Sequence, residues 1–168
     1  MDTIRFHSML AKGAFVVALV IGALLAAVFV RYSQTFNVPD DVEIFDVVEG
    51  TWAWADADSN CATNSHTIRF TPDHGEMVIT SARPYERADG KMDSIARYQI
   101  ISQTRDRIRG AIYGETRLTA DGRPVVWDLV LRSPDRYVWH RTDWPAFGFT
   151  GEVHRCPREH VDSAGPPE

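Results

Sequence analysis

An uninterrupted apolar run from Gly13 to Val30, GAFVVALVIGALLAAVFV, constrains this chain more than any other segment. It holds no charge and no proline, and no side of it is polar, which disfavours a helix packed on the surface of a globular domain. Its 18 residues at about 1.5 Å per residue reach roughly 27 Å, close to the hydrocarbon thickness of a bilayer. Arg5 and Lys12 precede it, and Asp40, Asp41 and Glu43 follow not far beyond Arg31. The positive-inside rule then places the N-terminus in the cytoplasm and the bulk of the chain on the far side. A cleaved signal is the alternative. Its apolar core is usually shorter, about 7–15 residues, and ends in a small-x-small site, whereas here such sites lie only inside the run. The expected organisation is a cytoplasmic tail over 1–12, a transmembrane helix over 13–31, a linker over 32–48, a folded extracytoplasmic domain over 49–156 and a disordered tail over 157–168. The expected address is the inner (cytoplasmic) membrane, single-pass, with the domain periplasmic or otherwise extracytoplasmic.

Topology fixes how the two cysteines are read. Outside the cytoplasm Cys61 and Cys156 can pair and stay paired, closing a loop of 95 residues (156 − 61). Isolated cysteines lack the paired spacing of a zinc site. The six histidines show no i, i+2 or i, i+4 pairing, so no metal and no cofactor is expected. Removing Arg5, Lys12 and Asp2 from 18 basic and 23 acidic residues leaves 16 and 22, a net charge of −6 with both signs interspersed. A nucleic-acid partner needs a concentrated basic face and is disfavoured.

Beyond residue 49 the chain alternates with period two, and turn residues recur every ten or so positions, the mark of an all-β domain. Strands are expected at Thr51–Ala55, Ser65–Thr71, Glu76–Thr80, Ile95–Ser102, Ile108–Leu118, Val125–Arg132, Arg136–Thr142 and Phe149–Arg155. Ser81–Met92, with Pro84 and Gly90, reads as a long loop. Thr71-Pro72-Asp73-His74-Gly75 and Asp121-Gly122 read as hairpin turns, with glycine supplying the positive φ. Gly110 and Gly114 on one strand face allow a sharp bend or a bulky neighbour. Eight strands joined hairpin to hairpin, with no helix long enough to cover a sheet, predict an eight-stranded antiparallel up-and-down barrel.

Gly50-Thr51-Trp52 resembles the Gly-x-Trp motif that opens lipocalin and avidin-like barrels. Thr142-Asp143-Trp144 is similar to the Thr-Asp-Tyr element of lipocalins, with Trp in place of Tyr. The resemblance spans about Gly50 to Cys156. It implies a lipocalin-like barrel closed at one end by Trp52, with Arg155 packed over it.

The candidate recognition cluster is Trp54, Tyr98, Trp127, Trp139, His140, Arg141 and Asp143, aromatic and polar residues able to line a barrel mouth. Trp144, Phe147 and Phe149, in a Pro- and Gly-containing connection, form a candidate docking loop or a plug. No nucleophile motif accompanies His140, so no catalytic residue is expected. The expected function is a non-enzymatic interaction module. Concretely, this is an accessory or assembly subunit of a larger membrane complex, energy-converting ones included, with a bilayer and a membrane protein as partners. The alternative is a membrane-tethered binder of a small apolar ligand.

Overall fold

The structure, a computed structural model, describes residues 20–23, 35–55, 61–87 and 89–157. The chain divides into two units, Met1–Gln34 and Thr35–Glu168. In the first, residues 20–23 are helical and exposed, and the rest of the apolar run lies outside the described residues. Among the described residues no helix is long and apolar enough to cross a membrane. The tail expected from residue 157 also lies outside them, apart from Pro157 itself.

The second unit is a closed antiparallel barrel of eight strands in sequence order. They are β1 (Gly50–Trp54), β2 (Ser65–Phe70), β3 (Glu76–Glu86), β4 (Met92–Gln103), β5 (Arg107–Ile112), β6 (Trp127–Ser133), β7 (Arg136–Arg141) and β8 (Val153–Arg155). Closure is made by β8 on β1, with Trp52 opposite Arg155 and Trp54 opposite Val153. This is the all-β barrel expected from the alternation, and it is compatible with a lipocalin-like architecture.

Several details differ from the sequence reading, and the last strand, expected from Phe149, begins only at Val153. The strand expected to stop at Thr80 runs on to Glu86, and most of the expected loop is the extended β3–β4 hairpin. Pro84 sits where the β3–β4 register shifts, between Thr80 and Tyr85; at such an irregularity a missing N–H breaks no ladder bond. The strand expected to reach Leu118 ends at Ile112, because Gly114 takes φ 74° and turns the chain. The left-handed position of the 71–75 turn is His74, at φ 54°, rather than Gly75. The His74 ring stacks on Phe45 at 4.1 Å, while Asp73 accepts from the Gly75 N–H at 3.1 Å.

The stretch 35–48, read as a linker, is part of the domain. The Phe36 and Val38 N–H groups donate to the carbonyls of Leu131 and Arg105. A short helix, α1 (Ile44–Val48), buries Ile44, Phe45 and Val48. With Val38 these side chains join Trp52, Ile68, Met77, Ile108 and Leu131 in the core that fills this end of the barrel. From the sequence Val42–Val48 reads either as a short turn of helix or as an extended lead-in, and the helix is what forms; so short a helix is stabilised by burial on the barrel floor.

The floor is locked by Trp52 and Arg155. The Trp52 indole N–H donates to the Val48 carbonyl at 2.9 Å. The Arg155 guanidinium lies 4.1 Å over the Trp52 ring and donates to the carbonyls of Val47 and Glu49. Gly50 is required here twice over: it holds φ 140°, and a Cβ at this position would stand 2.6 Å from Arg155 Nη1. The Gly-x-Trp motif thus has a local physical cause, since the glycine gives the arginine passage to the ring. Cys61, in the β1–β2 connection, is bonded to Cys156, the residue after β8, so the covalent link crosses β1.

Candidate functional site

Opposite the floor the barrel opens into a cup of about 580 Å³. Inward alternation places Trp54 of β1, Tyr98 of β4, Trp127 of β6 and Trp139 of β7 around it. Tyr98 and Trp139 stack with centroids 5.4 Å apart and planes 17° from parallel, and Trp127 meets Trp139 edge-on at 6.3 Å. The result is a flat aromatic wall. Gly110 eases it: a Cβ there would meet the Tyr98 Cβ at 3.2 Å, a tight contact that glycine avoids. Burial pushes the Tyr98 phenol well above its ordinary range.

The bottom of the cup is polar. His66 Nε2 and the Tyr137 hydroxyl share a hydrogen bond of 2.5 Å, and Tyr137 in turn packs edge-on against Trp52 at 4.9 Å. Burial lowers the His66 pKa to about 4 and raises that of Tyr137, so both are neutral near pH 7. Unfolded, the imidazole takes up a proton below its ordinary pKa of 6.5; folded, it does so only near 4. Acidification between these values protonates the unfolded chain preferentially. His66 therefore contributes about 3 kcal/mol of stability above pH 6.5 that is lost as pH falls toward 4. Urea unfolding at pH 7 and pH 4.5 is expected to show a larger loss for the wild-type domain than for His66→Gln. Equal losses would contradict this assignment.

No family model, curated protein or solved structure matches this chain. Function must therefore be argued from the cup and its surroundings alone.

At the mouth, Arg117 donates to both carboxylate oxygens of Glu115, at 2.8 and 2.6 Å, and its guanidinium lies 5.6 Å from the centre of the Trp127 ring. Burial acts to raise the Glu115 pKa, but the bonds from the Arg117 guanidinium and backbone N–H outweigh it, and the carboxylate stays ionised. Arg141 pairs with Asp143 at 2.8 Å and reaches both Trp127 and Trp144. From the β3–β4 hairpin, Arg87 pairs with Asp93 at 3.3 Å and lies against Gly114, where a Cβ would stand 2.7 Å from its Nη2.

The structure thus separates the residues singled out in the sequence. Trp54, Tyr98, Trp127 and Trp139 meet in the cup, and Arg141 and Asp143 form a pair beside it. His140 belongs elsewhere, on the outer wall, where its Nδ1–H donates to the Gly148 carbonyl at 2.7 Å. Its cross-strand neighbour Asp128 is held by Arg107 and Arg109. The candidate docking loop is divided as well. Trp144 packs against Trp127, Phe149 lies beneath Arg132 and beside His140, and Phe147 stands 53% exposed.

Sequence reasoning missed His66, Tyr85, Arg87 and Arg117 as cup residues. The alternation of His66, Ile68 and Phe70 does place His66 inward. Its partner Tyr137 lies 71 residues away, and no local pattern marks that pairing.

Proposed function

We propose that this chain is a membrane-tethered binding module. Gly13–Val30 anchors it with the N-terminus in the cytoplasm, and a lipocalin-like barrel stands on the far, periplasmic side. The cup at the barrel mouth takes one small ligand with a planar, largely apolar body. The observation that carries this reading is the cup itself: about 580 Å³, walled by aromatic rings and open at one end. Pockets for small organic ligands have this size, this aromatic lining and a few placed polar groups. The Tyr98–Trp139 wall offers a stacking surface. Neutral His66, braced from beneath by the buried Tyr137 hydroxyl, is among the polar groups of the cup's lining.

A second reading keeps the chain as an accessory or assembly subunit beside a larger membrane complex. It draws on the tether and on Phe147. With Trp144 and Phe149 laid against the barrel, the connection exposes a single aromatic side chain, Phe147, beside the small Pro145 and Ala146, so the ligand reading leads.

The test is equilibrium dialysis of the full-length protein in detergent micelles, against micelles alone, with the neutral planar probe 2-naphthamide. Saturable binding near one probe per chain is expected. Partition equal to that of empty micelles would count against the cup as a ligand site.

A further inference from the structure

We infer that the ligand of the cup carries a negative charge beside its apolar body. This rests on the reading of the cup as a ligand site and adds the chemical class of what it holds. The ionisable side chains along the cup, His66 and the tyrosines aside, are Arg83, Arg87, Arg97, Arg117, Glu86 and Glu115. Asp89, Asp93 and Glu76 stand against these arginines from beside the cup, so the cup and its ion-pair partners carry no excess of positive charge. What favours an anion is one fixed donor fork at the mouth, that of Arg117.

The groups differ in what they have left to offer. Glu115 has no capacity for a ligand: its side chain is 3% exposed, and Arg117 takes both of its oxygens. Arg97 pairs with Glu76 at 3.9 Å, and Arg87 with Asp93 and Asp89 at 3.3 and 3.5 Å. Glu86 and Arg83 have no ion pair among the described residues, and these two offset one another in charge. Arg117 still has a donor to give. It uses Nε and Nη2 on Glu115 and remains 47% exposed, which leaves Nη1 for an acceptor at the mouth. Its guanidinium is already fixed by the carboxylate two residues away and by the Trp127 ring. A planar donor fork held in place before binding loses little freedom when it grips a carboxylate or similar oxyanion. An apolar body against Tyr98 and Trp139 with an anionic group at Arg117 satisfies both halves of the cup.

A matched series separates this inference from the cup reading on which it stands: 2-naphthoate, 2-naphthamide and 2-naphthylmethylammonium share one ring system and differ in charge. Full-length protein in micelles should bind the naphthoate about tenfold more tightly than the amide, a difference of about 1.4 kcal/mol, and the ammonium least. Arg117→Gln, which removes the donor fork, should weaken the naphthoate about tenfold and the amide less than twofold. Arg117→Lys, which keeps the charge but not the fork, should weaken the naphthoate about threefold and serves if the neutral variant disturbs folding by circular dichroism. Amide and naphthoate binding with equal affinity would overturn the inference and leave the cup reading standing, as would an unchanged ratio in both variants. Binding of none of the three would remove the cup reading itself.

Discussion

Replacing Trp52 by alanine is expected to cost about 3–5 kcal/mol, the largest loss of any single side chain in the barrel. Three contributions converge on this residue. Its indole is fully buried and leaves a large void on truncation. Its N–H satisfies the Val48 carbonyl at the end of α1. Its ring carries the Arg155 guanidinium, which bridges α1 and β8 through the carbonyls of Val47 and Glu49. Truncation leaves that guanidinium over a cavity and frees α1, a helix too short to persist unaided. A domain of this size has only about 5–15 kcal/mol in hand, so the variant should melt at a much lower denaturant concentration. Trp52→Phe keeps a ring but no N–H, and should fall between the two. An alanine variant within 1 kcal/mol of wild type would mean that the floor is not what holds the barrel shut.

Removal of the Cys61–Cys156 bond should be nearly as costly. The bond closes 95 residues, and chain-entropy reasoning assigns about 4–5 kcal/mol to a loop of that length. It also ties the β1–β2 connection to the end of β8, the short strand whose pairing with β1 completes the barrel. Its loss is therefore expected to act where closure is weakest. Guanidinium unfolding of the Cys61→Ser, Cys156→Ser variant should show a loss of about 2–5 kcal/mol. A loss below 1 kcal/mol would show that hairpin pairing alone closes the ring.

Much of this fold is legible in the sequence because strands announce their faces. Trp52, Ile68, Ile108, Leu129 and Tyr137 sit at inward positions of alternating segments, and all are buried. Turn residues marked most of the connections for the same reason, since Asp121-Gly122 needs a positive φ and Gly122 supplies it at 79°. What was hidden depends on partners far along the chain. Pro84 signals a break in any local reading, yet β3 continues past it because the ladder is already irregular there. The 35–48 segment looks like a tether because it follows the apolar run directly and is broken by Pro39 and acidic residues; its apolar side chains become a floor only when a closed ring of strands exists to receive them. The aromatic part of the cup could be named in advance, since Trp54, Tyr98, Trp127 and Trp139 lie on strand faces. The rim arginines could not: Arg87 and Arg117 come from two connections that meet at Gly114 and Trp127, and charged residues in turns ordinarily face water.

The most direct measurement fills the cup. Ala96 lies on β4, is buried opposite Ile79 and lines the cavity. A tryptophan there would occupy the space proposed for the ligand while leaving the floor and the disulfide untouched. Dialysis of full-length Ala96→Trp beside wild type, with 2-naphthamide as the probe, is predicted to show saturable binding in the wild type. In the folded variant the affinity should fall at least tenfold, about 1.4 kcal/mol. Equal binding by the two proteins would place the probe outside the barrel and contradict the account.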